Sequence, residues 1–382
     1  MTATWQDSAA RLAASILYPQ SRWWQPVTST PRHLLVPRWF AWDEQGQGWQ
    51  VRDGPSDEQA WLATAYSERT LVTRVGSVHA DHAEPGQACP GRPTSSSTAP
   101  VLVIAMYRFA HIYDGADVLD VGTGTGYGCA LLARRAGAGH VTSIDIDPYL
   151  TETASARLAA LGLHPRIVTG DATGELPGSY DRIVPMMSAP RVPPGWLAAL
   201  RPGGRLVFSL ARTSALITAD KTADGGAAGQ VEWYPASFMA ARPGPGCHGL
   251  LDDLFGKIRD AEGEHVSHGR YPVLDVTWGW ELDLMLEVTA PGIEHRYECD
   301  EQTGIETAWM LHEDGSWARA SGAETEAAIV HQGGPRRLWD ILDDIRHQWI
   351  LDGALPVRGA EARIDPDGTC HLVKGKWRAT IG

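Results

Sequence analysis

The segment Val118-Leu119-Asp120-Val121-Gly122-Thr123-Gly124-Thr125-Gly126-Tyr127-Gly128 constrains the fold more than any other part of the chain. An apolar run that breaks into alternating glycines and resumes with a helical pattern describes a strand, a tight loop and a helix. The first N–H groups of that helix have no partner within it, and the glycines let a ligand approach the backbone closely. Around this segment the apolar periodicity predicts helices over 101–112, 127–135 and 150–161, with strands over 117–121, 141–145, 166–169, 182–187 and 205–210. Strands alternating with helices at this spacing imply a parallel sheet covered on both faces, with its ligand at the carboxyl ends of the strands.

The flanks read differently. Residues 1–97 are broken by Pro, Gly and Ser, hold one amphipathic piece over 8–17, and read as a cap with a substrate-side loop over 84–97. Beyond 211, stretches 215–219 and 230–233 flank a Gly-rich turn and predict an antiparallel hairpin. Arg242-Pro243-Gly244-Pro245-Gly246 can continue neither helix nor strand and marks a domain boundary. Past it, runs 273–280 and 282–288 read as strands, and Glu313-Asp314-Gly315 and Asp365-Pro366-Asp367-Gly368 read as hairpin turns. Leu338, Ile341, Leu342, Ile345 and Trp349 form one stripe of a helix over 335–351. The expected division is 1–97, 98–242 and 246–382.

Composition removes several classes of partner. With 33 Lys and Arg against 46 Asp and Glu, a net charge of −13 and no basic run, the chain is a poor binder of nucleic acid. No stretch approaches the roughly 20 apolar residues that span a bilayer, so no membrane partner and a cytoplasmic location are expected. Five scattered cysteines without a C-x-x-C pair fit reduced thiols, and no structural metal is expected. His79 and His82, with Asp81 between them, read as a solvated loop in preference to a metal pair. The 16 tryptophans read mainly as core, with a peptide-binding groove as the alternative.

The chemistry of the glycine loop follows from its acids. Dinucleotide-binding loops use G-x-G-x-x-G, whereas here the glycines fall as G-x-G-x-G behind Asp120, a carboxylate that repels a pyrophosphate and suits a cation. S-adenosylmethionine carries an ammonium and a sulfonium and no phosphate, so it is the expected cofactor. Asp145 closes the second strand, where a carboxylate accepts from ribose hydroxyls; Asp171, in Gly170-Asp171-Ala172, follows the third and is placed to face an adenine amino group. Each acid alone is an ordinary turn residue. Three in order after three strands are not. The candidate cofactor residues are therefore Asp120, Gly122, Thr123, Gly124, Thr125, Gly126, Tyr127, Asp145, Ile146, Asp171 and Ala172.

From about 30 to 242 the chain also resembles the protein-L-isoaspartate O-methyltransferase family. The resemblance is carried by Tyr180-Asp181-Arg182-Ile183-Val184, by Ser188-Ala189-Pro190-Arg191-Val192-Pro193-Pro194, and by Leu200-Arg201-Pro202-Gly203-Gly204-Arg205-Leu206-Val207. Upstream, Pro31-Arg32-His33-Leu34-Leu35-Val36-Pro37 is similar to that family's R-x-x-F-V-P signature, and Ser97-Thr98-Ala99-Pro100 to its active-site S-x-P loop. The resemblance implies a Rossmann-like class I methyltransferase with an additional C-terminal α+β domain, acting on a carboxylate in a peptide. It makes Thr98 the catalytic hydroxyl, with Ser97 as the fallback. Thr98 stands where the family has serine, and Met186-Met187 stands where small residues are usual. The tail past 245 is similar to that of relatives that esterify an aspartate in ribosomally made peptides beside ATP-grasp or lanthipeptide synthetases, a subgroup to which 334–340 and 365–368 point.

A peptide carboxylate has a pKa near 4 and is ionised at neutral pH, so methylating it calls for alignment and desolvation and needs no general base. Thr98 also has an ordinary reading as a helix cap before Pro100. Isoaspartate repair is the alternative activity, and a cofactor-bound binding module with a degenerate loop the alternative class. The glycine spacing disfavours a nicotinamide oxidoreductase.

Overall fold

The structure is a computed structural model and describes residues 4–43, 48–241 and 249–382. The boundary expected at 242–246 lies outside the described residues. At the centre, strands Arg166–Thr169, Val141–Asp145, Val118–Val121, Tyr180–Pro185 and Leu200–Leu210 lie in that order, all parallel. The chain enters at Val118–Val121, steps outward twice and then crosses to the other side. This leaves the switch point between Val118–Val121 and Tyr180–Pro185.

Side chains alternate across the sheet as the pleat requires. Val118, Val184, Val207 and Leu216 face a core shared with helices Trp5–Ile16, Pro100–Phe109 and Tyr127–Ala136. Their neighbours Leu119, Ile183, Leu206 and Ile217 face a second core with Trp196 and Leu197. Both faces are covered, which is why these strands read as nearly continuous apolar runs. The last parallel strand starts earlier than its apolar run, at Leu200, and its pairing slips between Leu200 and Arg205, where Gly203 takes φ +73°.

Leu216–Lys221 and Ala227–Val231 add the expected antiparallel hairpin. Ala227–Val231 does not end the sheet. Glu361–Ile364 pairs with it antiparallel, with Ala228 opposite Arg363, and Cys370–Lys374 and Trp377–Ile381 follow. The expected unit 246–382 is thus not separate throughout, because its last strands cover an edge that would otherwise expose unpaired N–H and C=O groups.

Between these two visits to the sheet the chain builds a second, antiparallel one from His265–His268, Ile329–Gly333, Trp317–Ala323, Ile305–Leu311 and Glu294–Cys299. Helix Leu338–Leu351 packs Leu338 and Leu342 onto it beside Met310, Ala320 and Val330. The runs expected as strands over 273–280 and 282–288 are instead a turn and helix Trp280–Thr289. Leu282, Met285 and Leu286 lie at helical spacing, and a short apolar run does not reveal its period. Leu282 and Met285 pack on the central core and Leu286 on the second sheet, so this helix joins the two.

The amino-terminal cap is more ordered than its composition suggests. After three short helices it forms a sheet from Gly48–Asp53, Arg38–Asp43, Leu71–Val75 and Val78–His79, and Pro93–Ser97, expected as loop, pairs with Leu71–Val75. Among the described residues no helix is long and apolar enough to cross a membrane.

Candidate active site

At the carboxyl ends of the parallel strands lies a cleft of about 590 Å³, a volume ordinary for a small-molecule site. Gly122, Gly124, Asp145 and Asp171 line its floor, Ser96 and Thr98 one wall, and Met186, Met187 and 237–241 the other. Gly124 takes φ +51°, and a Cβ there would lie 3.2 Å from the Ser96 carbonyl oxygen. The loop therefore needs glycine here both for its backbone conformation and for the approach of the opposite wall.

Asp145 sits at the end of its strand and accepts from the Gly124 N–H at 3.0 Å and the Asp147 N–H at 3.1 Å. Burial pushes its carboxyl above the ordinary range, and these N–H donors oppose the shift. Ile146, 49% exposed, presents an apolar surface beside it. Asp171 lines the cleft while accepting from the N–H and hydroxyl of Thr173 at 2.8 and 2.7 Å, so its turn role and its place at the site coexist. The Trp196 indole donates to the Ala172 carbonyl at 2.7 Å and holds this turn from below.

Asp120 is placed differently from its expectation as a carboxylate facing a cation in the cleft. It is 1% exposed and does not line the cleft; it accepts from Ser143 Oγ at 2.8 Å and Tyr107 Oη at 3.3 Å. Desolvation pushes its carboxyl up to about 7 against these two hydrogen bonds. Thr123 shares the same buried network, its hydroxyl 2.7 Å from Ser143 Oγ. Thr125 and Tyr127 are buried, and Gly126 packs on Ala154, so none of these lines the cleft. The residues of the glycine segment whose side chains point into the sheet brace the loop, and Gly122 and Gly124 present it.

The wall carrying Thr98 is fixed by Arg32. Its guanidinium is fully buried and donates to the carbonyls of Ala65, Ser67, Arg69, Ser97 and Thr98 at 2.8 to 3.3 Å. No carboxylate pairs with it among the described residues. It lies 5.2 Å from the Tyr127 ring centroid, and burial lowers its pKa to about 10. Ser97 faces this cation, 2% exposed with its Oγ 3.4 Å from Arg32, so the fallback hydroxyl lies behind the wall. Alternation along Pro93–Ser97 turns Ser96 and Thr98 the other way, into the cleft. Thr98 is not a helix cap either. The N-cap of Pro100–Phe109 is Ala99, with no side-chain cap bond.

Arg74 and Thr70 also line the cleft without having been expected there, and His79 lines it although it was expected in a solvated loop. Arg74 and His79 both reach the buried Oδ2 of Asp147, at 3.2 and 3.1 Å, and Thr70 accepts from the Ala99 N–H at 3.0 Å. Of the two histidines expected in a solvated loop, His82 is exposed as expected and His79 is not. His79 is mostly buried with its pKa lowered by desolvation, and Asp81 between them accepts from Tyr149 Oη and Arg157, each at 2.8 Å. Nothing in the sequence places these cap residues against the helix Pro148–Ala160, because that pairing spans two units of the fold.

The cleft suits S-adenosylmethionine on its donor set: open glycine backbone at Gly122 and Gly124, the Asp145 carboxylate at the end of its strand, and an apolar flank at Ile146. The profile of the family described as protein-L-isoaspartate(D-aspartate) O-methyltransferase matches residues 80–235. A protein-L-isoaspartate O-methyltransferase of Ignicoccus hospitalis is 40% identical over 115 residues, 29% of this chain and 54% of that relative's length. Protein-L-isoaspartate O-methyltransferase 1 of an Anaeromyxobacter species is 38% identical over 147 residues, 36% of this chain and 68% of the relative. A solved protein-L-isoaspartate O-methyltransferase structure superposes with TM-score 0.50 at 16% identity over 99% of both chains, and so shares the fold of the tail as well. The chain shares the class I methyltransferase fold and spans about half to two thirds of the length of the curated relatives it matches, and it belongs to the protein-L-isoaspartate O-methyltransferase family.

Proposed function

We propose that the protein transfers a methyl group from S-adenosylmethionine to an aspartate-derived carboxylate in a peptide. The observation that carries this is the pairing of Asp145 and the Thr98 hydroxyl across one cleft, with the Thr98 wall locked from behind by Arg32. When bound, S-adenosylmethionine supplies the methyl electrophile. Asp145 holds the ribose hydroxyls, and Gly122 and Gly124 let the cofactor lie against the backbone. Thr98 donates to one carboxylate oxygen and so aims the other. Met186 and Met187 border the space next to the acceptor and displace water from it. No side chain has to remove a proton, since the acceptor is already ionised.

Within this class we favour an aspartate in a ribosomally made, modified peptide, whose methyl ester loses methanol to the next residue's backbone nitrogen to give an aspartimide, which is kept or is hydrolysed to isoaspartate. The family resemblance of the tail supports that reading, although Gly334, at φ +83°, and Gly368, packed on the Val192 carbonyl, also have plain structural roles there. A second reading, isoaspartate repair, is supported by the end-to-end superposition on a solved protein-L-isoaspartate O-methyltransferase. Matched peptides carrying L-aspartyl or L-isoaspartyl at one position, incubated with enzyme and cofactor and followed by mass spectrometry, separate the two. Methyl gain on the aspartyl peptide, followed by loss of methanol, supports the first; gain confined to the isoaspartyl peptide selects repair, and gain on neither removes both.

A further inference from the structure

A second cavity, of about 240 Å³, lies where helices Trp280–Thr289 and Leu338–Leu351 meet the terminal hairpin, and it shares no lining residue with the cleft. Its walls include Met285, Ile345, Trp349, Val357 and Trp377, and its charged lining is three cations, Lys374, Lys376 and Arg378, against one carboxylate, Asp352. This concentration of positive charge is unusual for the chain. The net charge is −13 and there are only four lysines, of which two stand in the five residues Lys374-Gly375-Lys376-Trp377-Arg378.

The cations are poorly matched within the protein. Lys374 donates to the Gly359 carbonyl at 3.2 Å and lies 6.0 Å from the ring of Trp233, itself 62% exposed. Arg378 donates to the carbonyls of Gly375 and Trp377 at 2.9 and 3.0 Å. Lys376, with its side chain 81% exposed, reaches Asp352 at 3.6 Å. Among the described residues no carboxylate pairs with Lys374 or Arg378. A solvated lysine turn alone would be unremarkable, but this one borders an open apolar cavity walled by two tryptophans. That combination fits a ligand that is both anionic and apolar, since charge complementarity steers such a ligand and an aromatic-lined pocket anchors it.

We propose that this cavity docks an acidic segment of the peptide substrate, seating a large apolar side chain against Trp349 and Trp377 with carboxylates on Lys374, Lys376 and Arg378. The identification of the occupant rests on the reading of the substrate as a peptide. The segment bound here would be distinct from the one that enters the cleft, so the enzyme would grip its substrate at two places.

The test uses the full-length protein and a fluorescein-labelled synthetic peptide of Glu and Asp residues around one Leu, with a Lys-for-acid counterpart, read by fluorescence anisotropy without cofactor. The acidic peptide should bind at least about tenfold more tightly than the counterpart, with affinity falling as salt rises. The exposed double variant K376E/R378E should lose that preference while binding S-adenosylhomocysteine as the parent does. Thr289→Phe, which fills the cavity without touching charge, should weaken the acidic peptide too. Equal binding of both peptides, or an unchanged preference in K376E/R378E, overturns the proposal. So does sedimentation showing a dimer that the double variant dissociates while the peptide fails to bind, since the surface would then serve a second copy. Binding is measured apart from methyl transfer. Docking without any methylation would therefore count against the proposed reaction alone, and methylation without docking against this site alone.

Discussion

Replacing Arg32 with lysine keeps a positive charge at the one buried cation that organises the acceptor wall, and it isolates what the guanidinium geometry contributes. The two terminal nitrogens of Arg32 serve five carbonyls, on 65–69 and 97–98. Those two nitrogens carry four N–H groups shared among the five carbonyls, and a lysine ammonium offers three from one point, so at least one buried hydrogen bond is lost. At about 1–3 kcal/mol for the hydrogen bond lost, Arg32→Lys should lose about 1–3 kcal/mol of stability, read as a lower urea midpoint. The catalytic consequence should be selective. Residues 97–98 lose their anchor while Asp145 and the glycine loop do not. The kcat/KM for an acceptor peptide should then fall by about tenfold or more, equivalent to about 1.4 kcal/mol in the barrier, with S-adenosylhomocysteine affinity by calorimetry little changed. A variant with the parent's urea midpoint would refute the carbonyl cage. One that is destabilised yet turns over its peptide at the parental kcat/KM would refute the claim that Arg32 positions Thr98.

Other perturbations address the floor of the cleft. Thr98→Val removes the hydroxyl at nearly constant volume and should lower kcat/KM by about tenfold or more in a methyl-transfer assay, whereas Thr98→Ser restores most of it. Asp145→Asn removes the charge that accepts the ribose hydroxyls and should weaken S-adenosylhomocysteine binding by about 1.5–3 kcal/mol in calorimetry. Gly124→Ala places a Cβ at φ +51° and 3.2 Å from the Ser96 carbonyl, so it should weaken cofactor binding more than it lowers the melting temperature. For Asp120, burial holds the folded carboxyl near 7 while an unfolded aspartate titrates near 4, so the folded state keeps a proton that the unfolded state has lost. The resulting stability is fully present below about pH 4 and lost as the pH rises through about 7, with a ceiling of about 4 kcal/mol. Asp120→Asn, uncharged and still able to accept from Ser143, should flatten that slope in urea titrations between pH 5 and 8.

The sequence revealed the site where a local pattern carried it and failed where the pattern was shared with the fold. Glycines at 122 and 124 and acids at 145 and 171 stand at strand ends, and strand ends are visible as breaks in an apolar run. Asp120 carries the same motif signal. Its side chain nevertheless points to the face covered by helix Pro100–Phe109, toward Tyr107 and Ser143, because it sits one residue before the last of the strand, and alternation decides the face. The same parity separates Ser97 from Thr98. Had 93–97 been read as a strand, Ser97 would have been assigned to the back of the wall; three consecutive serines after a Pro- and Gly-rich stretch hide that strand. Arg74 gave no signal and His79 only the misleading one of a solvated loop, since what makes them part of the site is Asp147, more than sixty residues away in sequence and brought near only when the cap folds over the helix.

The tail illustrates a different limit. A hairpin over 361–374 was legible from its turn, but its destination was not, because nothing in an isolated strand states which edge it will join. The edge itself supplies the reason. Ala227–Val231 is short, rich in small residues and half exposed, and left bare it would offer its backbone to any extended chain. Pairing with Glu361–Ile364 removes that hazard and carries Cys370–Lys374 and Trp377–Ile381 in with it. The turn bearing Lys374, Lys376 and Arg378 is thereby built onto the same sheet whose other half forms the cleft. A peptide held at that turn is held relative to a rigid frame and not to a mobile appendage. Weakening the edge pairing, for example by Ala362→Pro, should raise the KM of a long acidic substrate while leaving that of a short acceptor peptide unchanged; an equal rise for both would mean that the hairpin merely stabilises the sheet.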